Sequence, residues 1–342
     1  MAKLEMKKWY GGKTKKILLF GIILTGVAAI KFFYQPVAVV VPHHDVVAEK
    51  RQELLTKMAR KRVKTKTIVI VGPDHFSPFQ KQVSFADAKW NLSNGKIEFD
   101  SKWKEDLEKV AVLRNGMVKN DHAIFNLLTE IKKLWPRAKI VPILIGQKAG
   151  DLNDLERVLK DRCGFDCLLI ASVDFSHYLP YALADIHDDE TIDALARLDG
   201  EKLLKVEVDS PQSLWLMASL AKTKGAKRWK LLWHSNSSEM AGAPEAEGTS
   251  HVMGWYSRGK MVESEDPKTF LVIKDRESKS YLGERFFWGT DEIRESMPEN
   301  IEEEVDLDKV AVAGEVKDGI TKLVFLSLER GIGEEVVEKI IY

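Results

Sequence analysis

Two valine- and isoleucine-rich runs constrain this chain most. Residues 37–41 read Val-Ala-Val-Val-Val, and residues 67–71 within TKTIVIVGPDHF read Thr-Ile-Val-Ile-Val, with no polar alternation in either. Strands with one solvated face alternate; continuous apolar runs of this length predict strands covered on both sides, as in parallel sheets flanked by helices. Each run then stops at a proline or a Gly-Pro pair and delivers polar residues: His43, His44 and Asp45 after the first, Asp74 and His75 after the second. KIVPILIG at 139–146 and CLLIASVDFSHY at 167–178 read as two further buried strands, the latter ending in Asp174, Ser176 and His177.

Helical spacing fills the intervals. Residues 46–62 place Val47, Leu54, Leu55 and Met58 on one face, and residues 122–134 do the same with Ile124, Leu127, Leu128 and Ile131. Residues 101–114, 151–161, 188–206 and 211–223 also read as helices, and Ser-Asn-Gly within 83–100 marks a hairpin. KRWKLLWHSNSSE (227–239) and HVMGWYSRG (251–259) add later strands. Strand and helix alternate, so the fold class is α/β, with a mostly parallel or mixed central sheet and helices on both faces.

The two ends differ from this body. Six lysines and one glutamate occupy the first sixteen residues, and ILLFGIILTGVAAI at 17–30 is uncharged. If Lys31 snorkels, the apolar span runs through Tyr34, about 18 residues, at the short end of what crosses a bilayer. The expectation is a cytoplasmic basic segment at 1–16, a single transmembrane helix at 17–34, and an α/β domain at 36–260 outside the cytoplasm on the cell membrane. A cleaved signal peptide and a buried helix of a soluble protein are the alternatives. From Glu263 the composition shifts through ESEDP into a small C-terminal α+β region, 268–342. There TFLVIK, KVAVAGEV and KLVFLSL are strand candidates, GEEVVEKII is a final helix, and the acidic ENIEEEVDLD offers a surface for a protein partner. With 52 basic and 52 acidic residues, the chain lacks the basic bias of a nucleic-acid binder. Cys167, opening its apolar run, reads as a small buried residue; a local bridge to Cys163 is the alternative in an oxidising compartment.

Ligands in open α/β folds gather beyond the carboxyl ends of the strands, where the two histidine-bearing tips would meet. Two imidazoles and a carboxylate from different elements can hold non-haem Fe(II), and the same set can hold zinc. His43 and His75 supply the imidazoles, Glu239 at the end of SNSSE is the candidate carboxylate, and His177 beside Asp174 is free for acid–base work.

Several pieces, in order, resemble the Memo family, also called AmmeMemoRadiSam system protein B. They are VPHHD (41–45), GPDHF (72–76), WNLSNGKIEFD (90–100), DHA (121–123), IVPILIG (140–146), ASVDFSHY (171–178), DETIDALARLD (189–199), and SNSSE followed by VMGWY. The resemblance implies a fold similar to class III extradiol dioxygenases and a divalent metal held by His43, His75 and the SNSSE end: Fe(II) first, copper or zinc otherwise. It places His122, Asp174 and His177 around that metal as catalytic candidates. It also implies metal-dependent redox or dioxygenase-type chemistry on a small substrate, with a non-catalytic metal-binding protein or a zinc hydrolase as alternatives. His44-Asp45 replaces the family's Ala-Gly, Phe125 its glutamate, and Asp209-Ser210 its Cys-Gly.

Overall fold

The computed structural model describes residues 35–62, 64–78, 81–179, 181–243 and 246–261, with strand segments at 268–274, 280–281, 310–317 and 320–327. In chain order the main body runs β1 (Ala38–Val41), α1 (Ala48–Lys61), β2 (Thr67–Pro73), β3 (Val83–Phe85), β4 (Lys89–Leu92), β5 (Gly95–Glu98), α2 (Lys104–Leu107), β6 (Val112–Leu113), α3 (Asn115–Asn120) and α4 (His122–Leu134). It continues with β7 (Lys139–Ile145), α5 (Asn153–Arg162), β8 (Cys167–Ser172), β9 (His177–Leu179), α6 (Tyr181–Arg197), α7 (Gly200–Leu203), α8 (Pro211–Thr223), β10 (Arg228–Asn236), α9 (Ser237–Met240) and β11 (Gly248–Ser257).

Nine strands form one mixed sheet in the order β10-β11-β1-β8-β2-β7-β3-β6, with β9 paired to β11. The inner strands β1, β8, β2 and β7 are parallel to one another, while β11 runs antiparallel to both β1 and β10, and β3 antiparallel to β7. The unbroken apolar runs are explained by their two destinations. Val39, Val41, Ile68 and Ile70 face a core closed by Leu54, Leu55 and Met58 of α1 and Ile124, Leu127 and Ile131 of α4. Ala38, Val40, Val69 and Val71 face the opposite core, closed by Leu155 and Leu159 of α5, Leu195 of α6 and Met217 of α8.

Three local expectations are revised. Residues 101–114 do not make one helix: a turn at 101–103 and α2 give way to the short strand β6. The helix expected at 188–206 instead starts at Tyr181, ends at Arg197 and is followed by α7, because Leu198 takes a positive φ of 56° that a helix cannot continue through. Cys163 and Cys167 form the local disulfide, both buried.

Toward the C-terminus, β12 (Lys268–Lys274), β13 (Ser280–Tyr281), β14 (Val310–Lys317) and β15 (Ile320–Ser327) form an antiparallel sheet in the order β13-β12-β14-β15. The acidic stretch ENIEEEVDLD and the final helix lie outside the described residues, as does the transmembrane segment expected at 17–34. Among the described residues no helix is long and apolar enough to cross a membrane.

Candidate metal centre

Strand order assembles the site. β8 lies between β1 and β2, all three parallel, so the loops after β1, β8 and β2 leave the sheet side by side carrying His43, Asp174 and His75. The β1 and β2 backbones are two strand spacings apart, roughly 10 Å. Their imidazoles lean together over β8 until the His43 and His75 ring centroids are 5.1 Å apart. His122, the first residue of α4, adds a third ring, 5.1 Å from His43 and 3.6 Å from His75.

His43 is buried and oriented on every side. Its backbone N–H donates to Asp174 Oδ1 at 3.1 Å, and its carbonyl accepts from Asn126 Nδ2 at 3.0 Å. The buried Arg51 of α1 donates to the carbonyls of Pro42 at 3.2 Å and His44 at 3.1 Å, fixing the strand end, while Glu130 neutralises the guanidinium. The tautomer is set by one shared hydroxyl. Ser172 Oγ gives its single proton to the Ala123 carbonyl at 2.6 Å, so His43 Nδ1, 3.2 Å from that oxygen, is the donor. The lone pair therefore resides on Nε2, which lies 3.2 Å from Asp174 Oδ2 and 3.3 Å from Asp209 Oδ2.

His75 is oriented by a different acid. Asp121, fully buried, accepts from the His75 backbone N–H at 3.0 Å and from Nδ1 at 2.8 Å. The same side chain caps α4 by accepting from the Ala123 N–H at 2.9 Å. One carboxylate thus starts the helix that carries His122 and leaves His75 Nε2 as the outward lone pair. A carboxylate behind a ligating imidazole is the usual outer partner of a metal site.

Asp174 and Asp209 hold each other and both reach His43 Nε2. The Asp174 N–H donates to Asp209 Oδ2 at 3.1 Å, and the Asp209 N–H donates to the Asp174 carbonyl at 3.2 Å. Burial pushes the Asp174 carboxyl up to about 7, and burial together with the Asp174 charge raises Asp209 well above the carboxylate range. His43 is driven the other way, by burial first and then by the neighbouring imidazoles. Asp209 Oδ1 has no hydrogen-bond partner although it is buried. Two carboxylates held together beside an acceptor nitrogen, one of them with an idle oxygen, are lone pairs awaiting a cation.

Among the described residues, two groups therefore have ligand atoms within 4.8 Å of one another, His43-His75-His122 and His43-Asp174-Asp209. Glu239 belongs to neither. It sits in the helical turn α9, capped by Asn236, after β10, which β11 separates from β1. His177 opens β9 and is half-buried, with burial lowering its pKa so that the ring is neutral at pH 7. The remaining histidines are paired elsewhere: His187 with Glu207, His234 with Asp188 at 2.7 Å, and His251 with His44 at 3.0 Å. Sequence reasoning missed Asp121 and Asp209 as site groups. The first had a readable signal, an Asp immediately before a helical pattern; the second comes from a loop with no periodicity.

The model of the Memo-like protein family matches residues 26–250. Curated relatives agree: a MEMO1 family protein of Methanosarcina barkeri is 31% identical over 52% of this chain and 72% of its own length. Others are those of Caldivirga maquilingensis, 25% identical over 53% of this chain and 69% of its own length, and Methanococcus vannielii, 26% identical over 61% and 80%. The chain is a member of the Memo family, built around a His/Asp cluster able to hold a metal ion.

Proposed function

We propose that this protein binds one divalent metal at the carboxyl ends of β1, β8 and β2 and uses it for redox or dioxygenase-type chemistry on a small substrate. The observation that carries the reading is the convergence of two groups that share His43, one with His75 and His122 and the other with Asp174 and Asp209. The donors fit a hard or borderline ion. Imidazole and carboxylate suit Fe(II) and then zinc, whereas both cysteines, the soft donors that would favour Cu(I), are tied up in the disulfide. Fe(II) bound there would supply one-electron chemistry, and zinc would supply an activated water.

The surrounding residues have defined tasks in this reading. Ser172 and Asp121 fix the His43 and His75 tautomers so that Nε2 faces the ion. Asp174 and Asp209 would supply carboxylate oxygens to the ion, and His177, kept neutral by burial, is the candidate proton acceptor. The span at 17–34 ties the domain to a membrane. Elemental analysis of protein purified without added metal, beside His43→Ala and His75→Ala, tests the site: one metal equivalent in the wild type and little in either variant. Oxygen uptake by the iron-loaded protein with catechols tests the chemistry. Full occupancy without turnover on any such substrate leaves the non-catalytic metal-binding reading in its place.

A further inference from the structure

We propose that the face at the other end of the sheet, around the amino ends of β2, β7 and β8, docks onto an anionic phospholipid surface. Two adjoining grooves open there. One, of about 590 Å³, has Leu134, Trp135, Pro136 and Phe165 as its apolar side and Lys64, Lys66 and Arg137 as its cationic side. The second, of about 370 Å³, shares Lys66 and Arg137 and adds Lys102, Lys139 and Arg162. Six basic side chains line the two grooves beside Asp100 and Asp166; Lys66 pairs with Asp166 at 2.9 Å and Arg162 with Asp106, and Lys64, Lys102, Arg137 and Lys139 carry the remaining positive charge. An apolar strip beside clustered lysine and arginine matches a phospholipid headgroup, phosphate toward the cations and glycerol carbons toward the rings.

Phe165 is the second observation. It is 60% exposed, at the tip of the three-residue loop that the Cys163–Cys167 disulfide closes. A large apolar ring held outward on a short cross-linked loop beside lysines is suited to enter a bilayer interface.

The third observation is where the chain enters. Buried Arg62 donates to the Pro36 carbonyl at 2.6 Å, to the Phe165 carbonyl at 2.9 Å and to the Cys167 carbonyl. One guanidinium therefore staples the first described residues of the domain to the Phe165 loop. The uncharged run at 17–30 ends six residues before Pro36 in the sequence, so on the anchor reading a membrane holding the run is brought close to this face. The seven residues of β2 separate the face from His75, roughly 23 Å at the usual strand rise. The metal centre then opens away from the bilayer, toward water-soluble substrates.

Lipid contact by this face is separable from the spanning segment. The full chain is reconstituted in phosphatidylcholine nanodiscs with and without phosphatidylglycerol, and amide hydrogen exchange is followed across residues 64–67, 133–138 and 163–167. Protection that appears only with phosphatidylglycerol, and fades at high salt, is the expected result. Each basic side chain near an anionic surface strengthens attachment about fivefold. Lys64→Glu with Arg137→Glu therefore weakens it roughly 25-fold or more, and Phe165→Ser weakens it without changing the salt dependence. All three side chains are exposed, so circular dichroism and bound metal stay as in the wild type. If the full chain stays in solution and never enters discs, the anchor reading fails, but co-sedimentation with phosphatidylglycerol vesicles still decides the face. Equal exchange in both lipids, no vesicle binding, or stronger protection of the same peptides by an RNA oligomer overturns the proposal.

Discussion

Asp121 and His75 are joined twice, by a 3.0 Å bond from the histidine backbone and a 2.8 Å bond from its Nδ1, and the acid capping α4 thereby also orients an imidazole of the candidate metal centre. Asp121→Asn keeps the shape and an oxygen for one of these donors but removes the charge that makes His75 Nε2 a strong donor. Loss of such an outer carboxylate lowers metal affinity about 10- to 100-fold. Asp121→Ala has that effect and also removes the cap, costing about 1 kcal/mol of stability. Chelator competition separates the two from thermal unfolding. Unchanged affinity in both variants would rule out a role for Asp121 behind the metal.

Asp209 stands where the resembled family carries a cysteine, and its Oδ2 is 3.3 Å from His43 Nε2. As a carboxylate it favours hard ions; a thiolate there favours soft ones. Asp209→Cys is expected to move metal selectivity from Fe(II) or Mn(II) toward Cu(I) and Zn(II), and Asp209→Asn to weaken all of them. The check is metal content after equilibration with an equimolar mixture. Identical selectivity in wild type and Asp209→Cys would remove Asp209 from the ligand set.

Much of this architecture is legible in the sequence because burial on two faces leaves a plain mark. The runs at 37–41 and 67–71 can only be interior strands, and interior parallel strands bring the residues after them to one edge of the sheet. His43 and His75 are found on that logic. Glu239 is expected beside them because it too follows a strand end, but it lies in the helical turn α9 and is in neither convergent group. β10 is separated from β2 by three strands, an order no local pattern encodes. Asp209 is noticed in the sequence only as a replacement within the resembled pattern, and its place in the site is unreadable for a related reason: it arrives from a loop, held by reciprocal backbone bonds with Asp174 that depend on tertiary contact alone. Arg51, three residues into α1 and buried, reads as one more charge on an amphipathic helix.

His251 is fully buried in β11, stacked on His44 at 5.2 Å, with Nδ1 unpartnered. Burial first, then the charge of His44, drives its pKa down to about 3. In the unfolded chain it titrates near 6.5, so from that pH down to about 3 the unfolded state holds a proton the folded state lacks. Stability is therefore complete above about 6.5 and is lost as pH falls through this window, at up to about 1.4 kcal/mol per pH unit. His43, His122 and His177 act in the same direction and His187, His234, Asp174 and Asp209 in the opposite one, so the informative quantity is a difference. Between about pH 7 and pH 5, His251→Gln is expected to lose about 2 kcal/mol less than the wild type in urea unfolding of the metal-free protein. Parallel pH profiles would show that His251 is protonated at no cost.

Gly72 sets how closely α4 approaches the sheet. A Cβ placed there would lie 3.0 Å from the Ser172 carbonyl oxygen and 3.0 Å from Ala123 Cβ. Neither neighbour is a flexible tip. Ser172 holds the His43 tautomer, and Ala123 follows His122 and accepts the Ser172 hydroxyl, so any displacement reaches two of the three imidazoles. Gly72→Ala is expected to cost about 1–3 kcal/mol of stability through overpacking, and to weaken metal binding as α4 is pushed outward. Adding Ala123→Gly removes the side-chain clash but not the carbonyl clash. It should restore part of the affinity while lowering helix stability by up to about 1 kcal/mol. The coupling between the two changes, read from chelator competition in a double-mutant cycle, separates this account from a general loss of folding. If Gly72→Ala binds metal as the wild type does, the close packing of α4 on β2 and β8 is not what positions His122.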